Sequence, residues 1–168
     1  MSAEALTRAK NLLGDAVTAS HAYRGDETLV IDPRRVVQAM KTLRDDEELA
    51  FDFLVDLTAV DYLGREPRFE VVYHLRSMKT GARLRVKAPL AEPKDDDGAN
   101  PSIDSVVALW PGANWFEREV WDLYGIRFLG HPDLRRILMY EEFIGHPLRK
   151  DYPKEKRQPL VRRDPNEG

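Results

Sequence analysis

Three segments in the first half of the chain alternate apolar and polar side chains, and this period of two restricts the fold more than any other feature. Phe51, Phe53, Val55 and Leu57 fall on one face while Asp52 and Asp56 take the other. Phe69, Val71, Tyr73 and Leu75 alternate with Glu70, His74 and Arg76. Ala82, Leu84, Val86 and Ala88 alternate with Arg83, Arg85 and Lys87. Successive side chains of a strand point to opposite faces, so each segment reads as a strand with one buried and one polar side. Gly64 and Pro67 punctuate the first connection and Lys79-Thr80-Gly81 the second, which predicts an antiparallel meander.

The flanking segments supply a cover for the apolar face. Leu6, Ala9, Leu13, Ala16 and Val17 recur at helical spacing and predict an amphipathic helix over residues 3–22, weakened at Gly14. Thr28-Leu29-Val30-Ile31 reads as a further strand. Asp32-Pro33 then starts a second helix through Val36, Met40 and Leu43, because Asp can accept from the free N–H groups and Pro suits the first helical position. The acidic cluster Asp45-Asp46-Glu47-Glu48 lacks the ligand spacing and glycine of a calcium loop and reads as a solvated turn or helix end. Residues 89–101 read as a loop, and Ser102 as the cap of a short helix through Ile103, Val106, Val107 and Trp110.

The expected fold is α+β. An antiparallel or mixed sheet of about four strands is covered by two helices and followed by an irregular helical and extended C-terminal segment. Residues 1–152 form a single domain in this reading. Residues 153–168, charged and proline-containing with few apolar anchors, form an extended tail that is disordered or ordered by a partner.

Composition removes several function classes. The 168 residues include no cysteine, so disulfides, thiolate zinc sites and ordinary iron–sulfur ligation by this chain are excluded. A net charge of −3, with the basic residues spread along the chain, weighs against nucleic acid as the main partner. No apolar run approaches the ~18 residues of a membrane span. The opening residues do not read as a secretory or organellar leader. A soluble, cytosolic chain is expected, with membrane association only through partners.

Charges, aromatics, glycines and prolines crowd most densely between Trp115 and Pro153. Helical spacing from Trp115 to Tyr124 puts Phe116, Val120 and Leu123 or Tyr124 on one stripe. It makes Arg118 and Asp122 an i, i+4 pair with Glu119 beside Asp122. Gly125 stops this helix as a left-handed residue after its last turn. All three tryptophans, Trp110, Trp115 and Trp121, lie here or just before, and serve either as core residues or as interface anchors. Two tripeptides echo each other, Gly130-His131-Pro132 and Gly145-His146-Pro147, each followed by leucine and a basic pair, Arg135-Arg136 and Arg149-Lys150. A histidine before proline is held extended, at a turn, where its ring can bond neighbouring backbone. As zinc ligands, His131 and His146 would need a third group such as Asp133, Glu141 or Glu142, and no zinc-binding spacing is present. The basic residues from 115 to 149 are all arginine, which fits ordered ion pairs with Glu117, Glu119, Asp122, Asp133 and Asp151. No nucleophile with an adjacent base, phosphate loop or dinucleotide fingerprint accompanies them. The physical reading is an interaction surface in preference to an active site.

The same stretch resembles a known family. Asn114 through Ile126 and Gly130 through Leu138 are similar to the signature of the 30-kilodalton-type subunit of NADH:quinone oxidoreductase, respiratory complex I. Gly145 through Pro153 resembles its second block. Weaker similarity reaches back through Arg68–Leu75 and Asp56–Tyr62. The segment Tyr140-Glu141-Glu142-Phe143-Ile144 departs from the family pattern.

The resemblance implies a subunit of the hydrophilic arm without a catalytic, cofactor-binding or metal-binding residue of its own. Flavin and iron–sulfur clusters are then expected in partner subunits. It implies packing against the subunit that builds the quinone site and the one that holds the terminal iron–sulfur cluster, at the cytoplasmic face of a bacterial inner membrane. It also implies interface or signature roles for Trp115, Glu117, Arg118, Glu119, Asp122, His131, Pro132, Asp133, Arg135, Arg136, His146, Pro147, Arg149, Lys150 and Asp151. The matching subunit of a membrane-bound hydrogenase or related quinone-reducing complex is the alternative within this superfamily. A stand-alone metal-dependent hydrolase built on His131 and His146 is the alternative outside it.

Overall fold

The computed structural model describes residues 2–93 and 100–161. Its core is a five-stranded sheet built from β1 (Val17–Tyr23), β2 (Asp26–Ile31), β3 (Phe53–Asp61), β4 (Phe69–Arg76) and β5 (Arg83–Leu90). The strand order is β1-β2-β5-β4-β3, antiparallel except for the β2–β5 pair. Leu57, Tyr73, Val86 and Leu29 stand opposite one another across four strands. All four are buried, as the alternating pattern requires. Helix α1 (Ser2–Leu13) packs on β2 and on helix α2 (Val36–Asp45), and helix α3 (Ala113–Tyr124) packs along β3. Two short strands, β6 (Ser102–Asp104) and β7 (Arg127–Leu129), pair in parallel on either side of α3 in sequence. The class is α+β with a mixed sheet, and the predicted meander is β3-β4-β5.

The start of α2 is built as its sequence dictates. The Asp32 carboxylate accepts from the Arg34 backbone N–H at 3.0 Å, Pro33 opens a single 3₁₀ turn, and the α-helix follows from Val36. At the other end the acidic cluster forms a helix end. Asp46 accepts from the backbone N–H groups of Glu48 and Leu49 and pairs with Arg8 at 2.8 Å.

The structure corrects the sequence reading in four places. The predicted helix over residues 3–22 stops at Leu13. Gly14 turns the backbone left-handed at φ +52°, and Val17–Tyr23 becomes the edge strand β1 paired with β2. The sheet therefore has five strands, and three helices of at least ten residues accompany it among the described residues. Ser102 opens a strand and not a helix, because Ser102, Ile103 and Asp104 pair with Arg127, Phe128 and Leu129. The segment from Val106 to Trp110 is a turn closed by the Leu109 and Trp110 N–H groups on the Val106 carbonyl. Of the predicted 89–101 loop, Pro89 and Leu90 belong to β5, and residues 94–99 lie outside the described residues.

The fourth correction concerns β3. Its register shifts between Leu54 and Asp56, a β-bulge that inserts Val55. Leu54 and Leu57 then share the core face, three positions apart, with 7% and 2% exposure. Phe53 and Val55 turn outward at 50% and 45%. Simple alternation had placed Phe53 and Val55 inside. Replacing Leu54 by Ala is expected to cost about 2–5 kcal/mol, whereas Phe53→Ala costs about 0.5 kcal/mol or less. Denaturant unfolding of the two variants checks this, and the reverse order would contradict the bulged register.

Candidate functional site

Helix α3 organises the C-terminal segment because two acidic side chains on it are fully buried. It runs from Ala113 to Tyr124 and ends at Gly125, whose φ of +76° gives the left-handed cap, with its N–H on the Trp121 carbonyl. Glu117, Val120 and Asp122 all point inward. A buried carboxylate needs partners, and each finds them in a different segment.

Asp122 holds the segment that follows β7. One carboxylate oxygen accepts from the backbone N–H groups of Ile137, Leu138 and Met139 at 3.1, 2.8 and 2.9 Å. The other meets the Arg136 guanidinium at 2.5 Å. Arg136 also donates to the carbonyls of Phe143 and Gly145 at 2.9 and 3.0 Å and lies over the Trp121 and Phe143 rings. Burial pushes the Asp122 carboxyl up. The Met139, Leu138 and Ile137 N–H groups and Arg136 outweigh burial and hold it below the usual carboxylate range. Arg118 does not pair with Asp122, the arrangement that i, i+4 spacing predicts. It donates to the carbonyls of Arg135 and Arg136, both at 3.1 Å, and covers the exposed Trp115 ring. The physical reason is depth: Asp122 faces the buried side of α3, where three free backbone N–H groups and Arg136 converge.

The two Gly-His-Pro turns use their histidines in opposite ways. His131 Nδ1 accepts from the Asp133 N–H at 3.0 Å, so Nε2 carries the proton it gives to the Asn114 carbonyl at 3.2 Å. His146 Nδ1 faces the Asp122 carbonyl at 2.9 Å, so here Nδ1 is the protonated nitrogen. Burial, only partly offset by that carbonyl, keeps the His146 pKa below the ordinary value and the ring neutral. This ring sits directly on Gly125, where an added Cβ would lie 2.6 Å from it. One glycine therefore serves as helix cap and as seat for His146. Both histidines bind backbone, and among the described residues no group of three or more His, Asp or Glu side chains is placed to hold a metal ion.

A second ionic cluster fastens the Gly145–Pro153 block to the sheet. Arg68, nearly buried, forks onto Asp61 with two 2.9 Å bonds and reaches Glu92 at 2.8 Å and Asp151 at 3.0 Å. Arg149 joins Glu92 and Asp151 from the other side, and both guanidiniums lie over the Phe69 ring. The Lys150 N–H closes the set on Asp61 at 2.8 Å. Arg68 holds both Asp61 and Asp151 below the ordinary carboxylate pKa.

Glu117 is different. It accepts from the Ser105 hydroxyl at 2.6 Å and the Val106 N–H at 2.7 Å, tying α3 to the turn after β6. Among the described residues no cation pairs with it, and burial pushes its pKa up to about 7.

The structure thus brings Asp122, Arg136, Arg118 and His146 together around the end of α3, and Arg149, Lys150 and Asp151 together at the sheet edge. Asp133 and Arg135 form a separate surface pair at 2.9 Å. Glu119 and Pro132 are exposed and Pro147 is half-buried. Sequence reasoning missed Asp61, Arg68 and Glu92 as site residues. The signal for Asp61 and Arg68 was their place in the two weaker blocks of resemblance.

Comparison with known proteins matches residues 29–158 to the family model described as "Respiratory-chain NADH dehydrogenase, 30 Kd subunit". The chain belongs to this family. The C subunit of NADH-quinone oxidoreductase from Roseiflexus sp. (strain RS-1) is 51% identical over 90% of this chain and 83% of its own length. That of Citrifermentans bemidjiense is 49% identical over 89% and 88%. A solved chain of the membrane-bound sulfane sulfur reductase, an archaeal respiratory membrane complex, shares the fold. It has a TM-score of 0.66 and 22% identity, and the match covers 82% of this chain and 75% of that one. Both ionic clusters and both Gly-His-Pro turns fall inside the span matched to the 30 Kd subunit family, whereas α1 and β1 precede it.

The buried charges make stability sensitive to single substitutions. Arg136→Ala leaves Asp122 buried without its cation and is expected to destabilise the chain by on the order of 3–5 kcal/mol, read by denaturant unfolding.

They also set a pH optimum. Asp61, Asp122 and Asp151 have folded pKa values depressed below 3.8. The stability they contribute is complete above that value and is lost as pH falls further. Glu117 has a folded pKa raised from 4.5 to about 7. Its contribution is complete below 4.5 and is lost as pH rises toward 7, because the folded state keeps a proton the unfolded chain releases. Stability should peak at about pH 4 to 5, where the two windows meet, and Glu117→Gln should flatten the decline above that range. Thermal melts across about pH 2.5 to 9 check both; an unchanged decline in the variant would contradict the assignment to Glu117.

Proposed function

We propose that this chain is a structural subunit of the hydrophilic arm of NADH-quinone oxidoreductase. It carries no redox centre and helps assemble the module through which electrons pass from flavin and iron–sulfur clusters in partner subunits to quinone. Relatives at 49–51% identity that are named as subunits of this oxidoreductase support the reading over the hydrogenase alternative. Membrane association is then peripheral, at the cytoplasmic face of the inner membrane and through partners. In keeping with that, no helix among the described residues is long and apolar enough to cross a membrane.

The contrast between the two sides of the C-terminal segment carries this reading. Its inward side is fixed by Asp122, Arg136 and the Arg68 cluster. Its outward side carries Leu138, Tyr140, Ile144 and Leu148, with Leu138 57% and Ile144 55% exposed. Large apolar side chains held outward on an ordered frame are what a protein interface uses, since little freedom is left to lose on docking. The neighbours we propose are the subunit that builds the quinone site and the one that holds the terminal iron–sulfur cluster. The signature residues act by shaping this frame, and residues beyond 152 by extending it along a partner.

The double variant Leu138→Asp/Ile144→Asp changes only exposed side chains. The isolated chain is expected to melt within about 2 °C of the parent, while the chain is lost from the membrane complex and NADH:quinone activity falls with it. Normal complex content with lost turnover would point to a catalytic role instead.

A further inference from the structure

One row of exposed side chains crosses the whole sheet. Tyr23 stands opposite Asp26, Arg83 opposite Arg76, and Arg76 opposite Phe53. Asp26 and Arg83 each lie two residues before the paired Thr28 and Arg85, and the Arg83 guanidinium reaches Asp26 at 3.9 Å. The row Tyr23–Asp26–Arg83–Arg76–Phe53 thus spans five strands, about 19 Å at ordinary strand spacing. All five residues are exposed. Arg83 and Val86 are three apart in β5, so the row lies on the face opposite the core residues Val86, Tyr73 and Leu29. It is also far from the Arg68 cluster. Phe53 opens β3 and Asp61 closes it, about 25 Å away along the strand.

The charges in this row conflict. Arg76 and Arg83 are directly opposed across β4 and β5, and like charges so placed cost stability. Arg76 forms no side-chain hydrogen bond, ion pair or ring contact with any described residue. Arg83 and Arg85 share one carboxylate, Asp26, at 3.9 and 4.0 Å, beyond hydrogen-bond length. Asp56 and His74 face each other in the next row. Burial and then Arg85 keep the His74 pKa below its ordinary value against the pull of Asp56 and Asp26, so the ring adds no charge at neutral pH. Three guanidiniums therefore stand against two carboxylates, in a chain whose formal net charge is −3. The β3 bulge sets Val55 beside them. Val55, His74, Arg83 and Arg85 line a cleft of about 370 Å³.

We infer that this end of the open sheet face is a docking surface for an acidic segment of another protein chain. Its carboxylates take up Arg76 and Arg83, and its apolar side chains cover Tyr23, Phe53 and Val55. This rests on the reading of the chain as part of a larger complex and adds a contact remote from the C-terminal segment.

Four observations select that occupant. The opposed arginines cost the free chain stability, and an anionic partner relieves the cost. All three cations are arginine, whose fork binds a carboxylate through two parallel bonds. Tyr23 and Phe53, 67% and 50% exposed, frame the arginines with rings, and Tyr, Phe and Arg are the residues enriched at protein interfaces. The row is longer than any small anion and suits a length of chain.

The test compares the isolated full chain with the intact complex from native membranes. Phenylglyoxal is expected to modify Arg76 and Arg83 about tenfold more slowly in the complex. Arg76→Glu puts a carboxylate opposite Arg83, so the isolated chain should melt at or above the parent temperature. Retention of this variant in the complex should nonetheless fall by about tenfold at about 0.15 M salt. A residue with only a structural role would not separate the two readouts. Phe53→Ala should lower retention in the same direction.

Equal modification of the arginines in both states, or full retention of Arg76→Glu, would overturn the surface. Binding of the isolated chain to phosphatidylglycerol vesicles that Arg76→Glu abolishes, with retention unchanged, would overturn it in favour of a lipid surface. Protection of Arg76 and Arg83 by inorganic phosphate, with retention unchanged, would overturn it in favour of a small anion. If Arg76→Glu assembles while Leu138→Asp/Ile144→Asp does not, this surface fails and the structural-subunit reading stands. If both assemble normally, that reading itself fails.

Discussion

Asp122 has no contact with solvent, and its carboxylate is ionised. A charge in that position must be answered from within the chain, and the answer comes from residues 136 to 139, which form no helix or strand. Three consecutive backbone N–H groups that would otherwise seek water are collected on one oxygen. Arg136, drawn in as the counter-charge, then reaches on to the carbonyls of Phe143 and Gly145. One side chain on a regular helix thereby sets the path of an irregular segment. A buried ion pair adds little net stability over a well-packed apolar substitute, but it has few alternative arrangements, and losing one partner is costly. Its contribution here is position.

The Arg68 cluster repeats the device at the sheet edge. Asp61 at the end of β3 and Arg68 just before β4 form a buried pair. Glu92, Arg149, Asp151 and the Lys150 N–H extend it across the molecule. The two clusters bracket the second Gly-His-Pro turn, whose histidine seats on Gly125 and bonds the Asp122 carbonyl. Helix cap, turn and both clusters are thus mutually dependent, and the exposed leucines and isoleucine between them are presented in fixed places.

Much of this was legible in the residues. The meander strands, the Asp32-Pro33 helix start and the Gly125 stop all follow from local rules, and each is present in the structure. The failures share a cause: tertiary contact overrode a local pattern. Val17–Tyr23 continued a helical periodicity but lies beyond a left-handed Gly14 and pairs with β2. A bulge at Val55 reversed the faces of β3 by one residue, which no alternation pattern registers. Arg118 and Asp122 have the spacing of a surface pair, but spacing carries no information on depth. Asp122 is buried and Arg118 bonds backbone carbonyls. Glu92 lies far in sequence from Arg68 and Arg149, so only the fold brings them together.

The dense polar signature is bonded chiefly within the chain. Its arginines and carboxylates act on the chain itself, and the surface they shape faces outward. The most direct test is native-state hydrogen exchange at the amides of Ile137, Leu138 and Met139. If the Asp122 carboxylate holds this segment, the three amides exchange as slowly as those in the interior strand β4, although they lie outside any helix or strand. Exchange at the rate of an open loop would contradict the account.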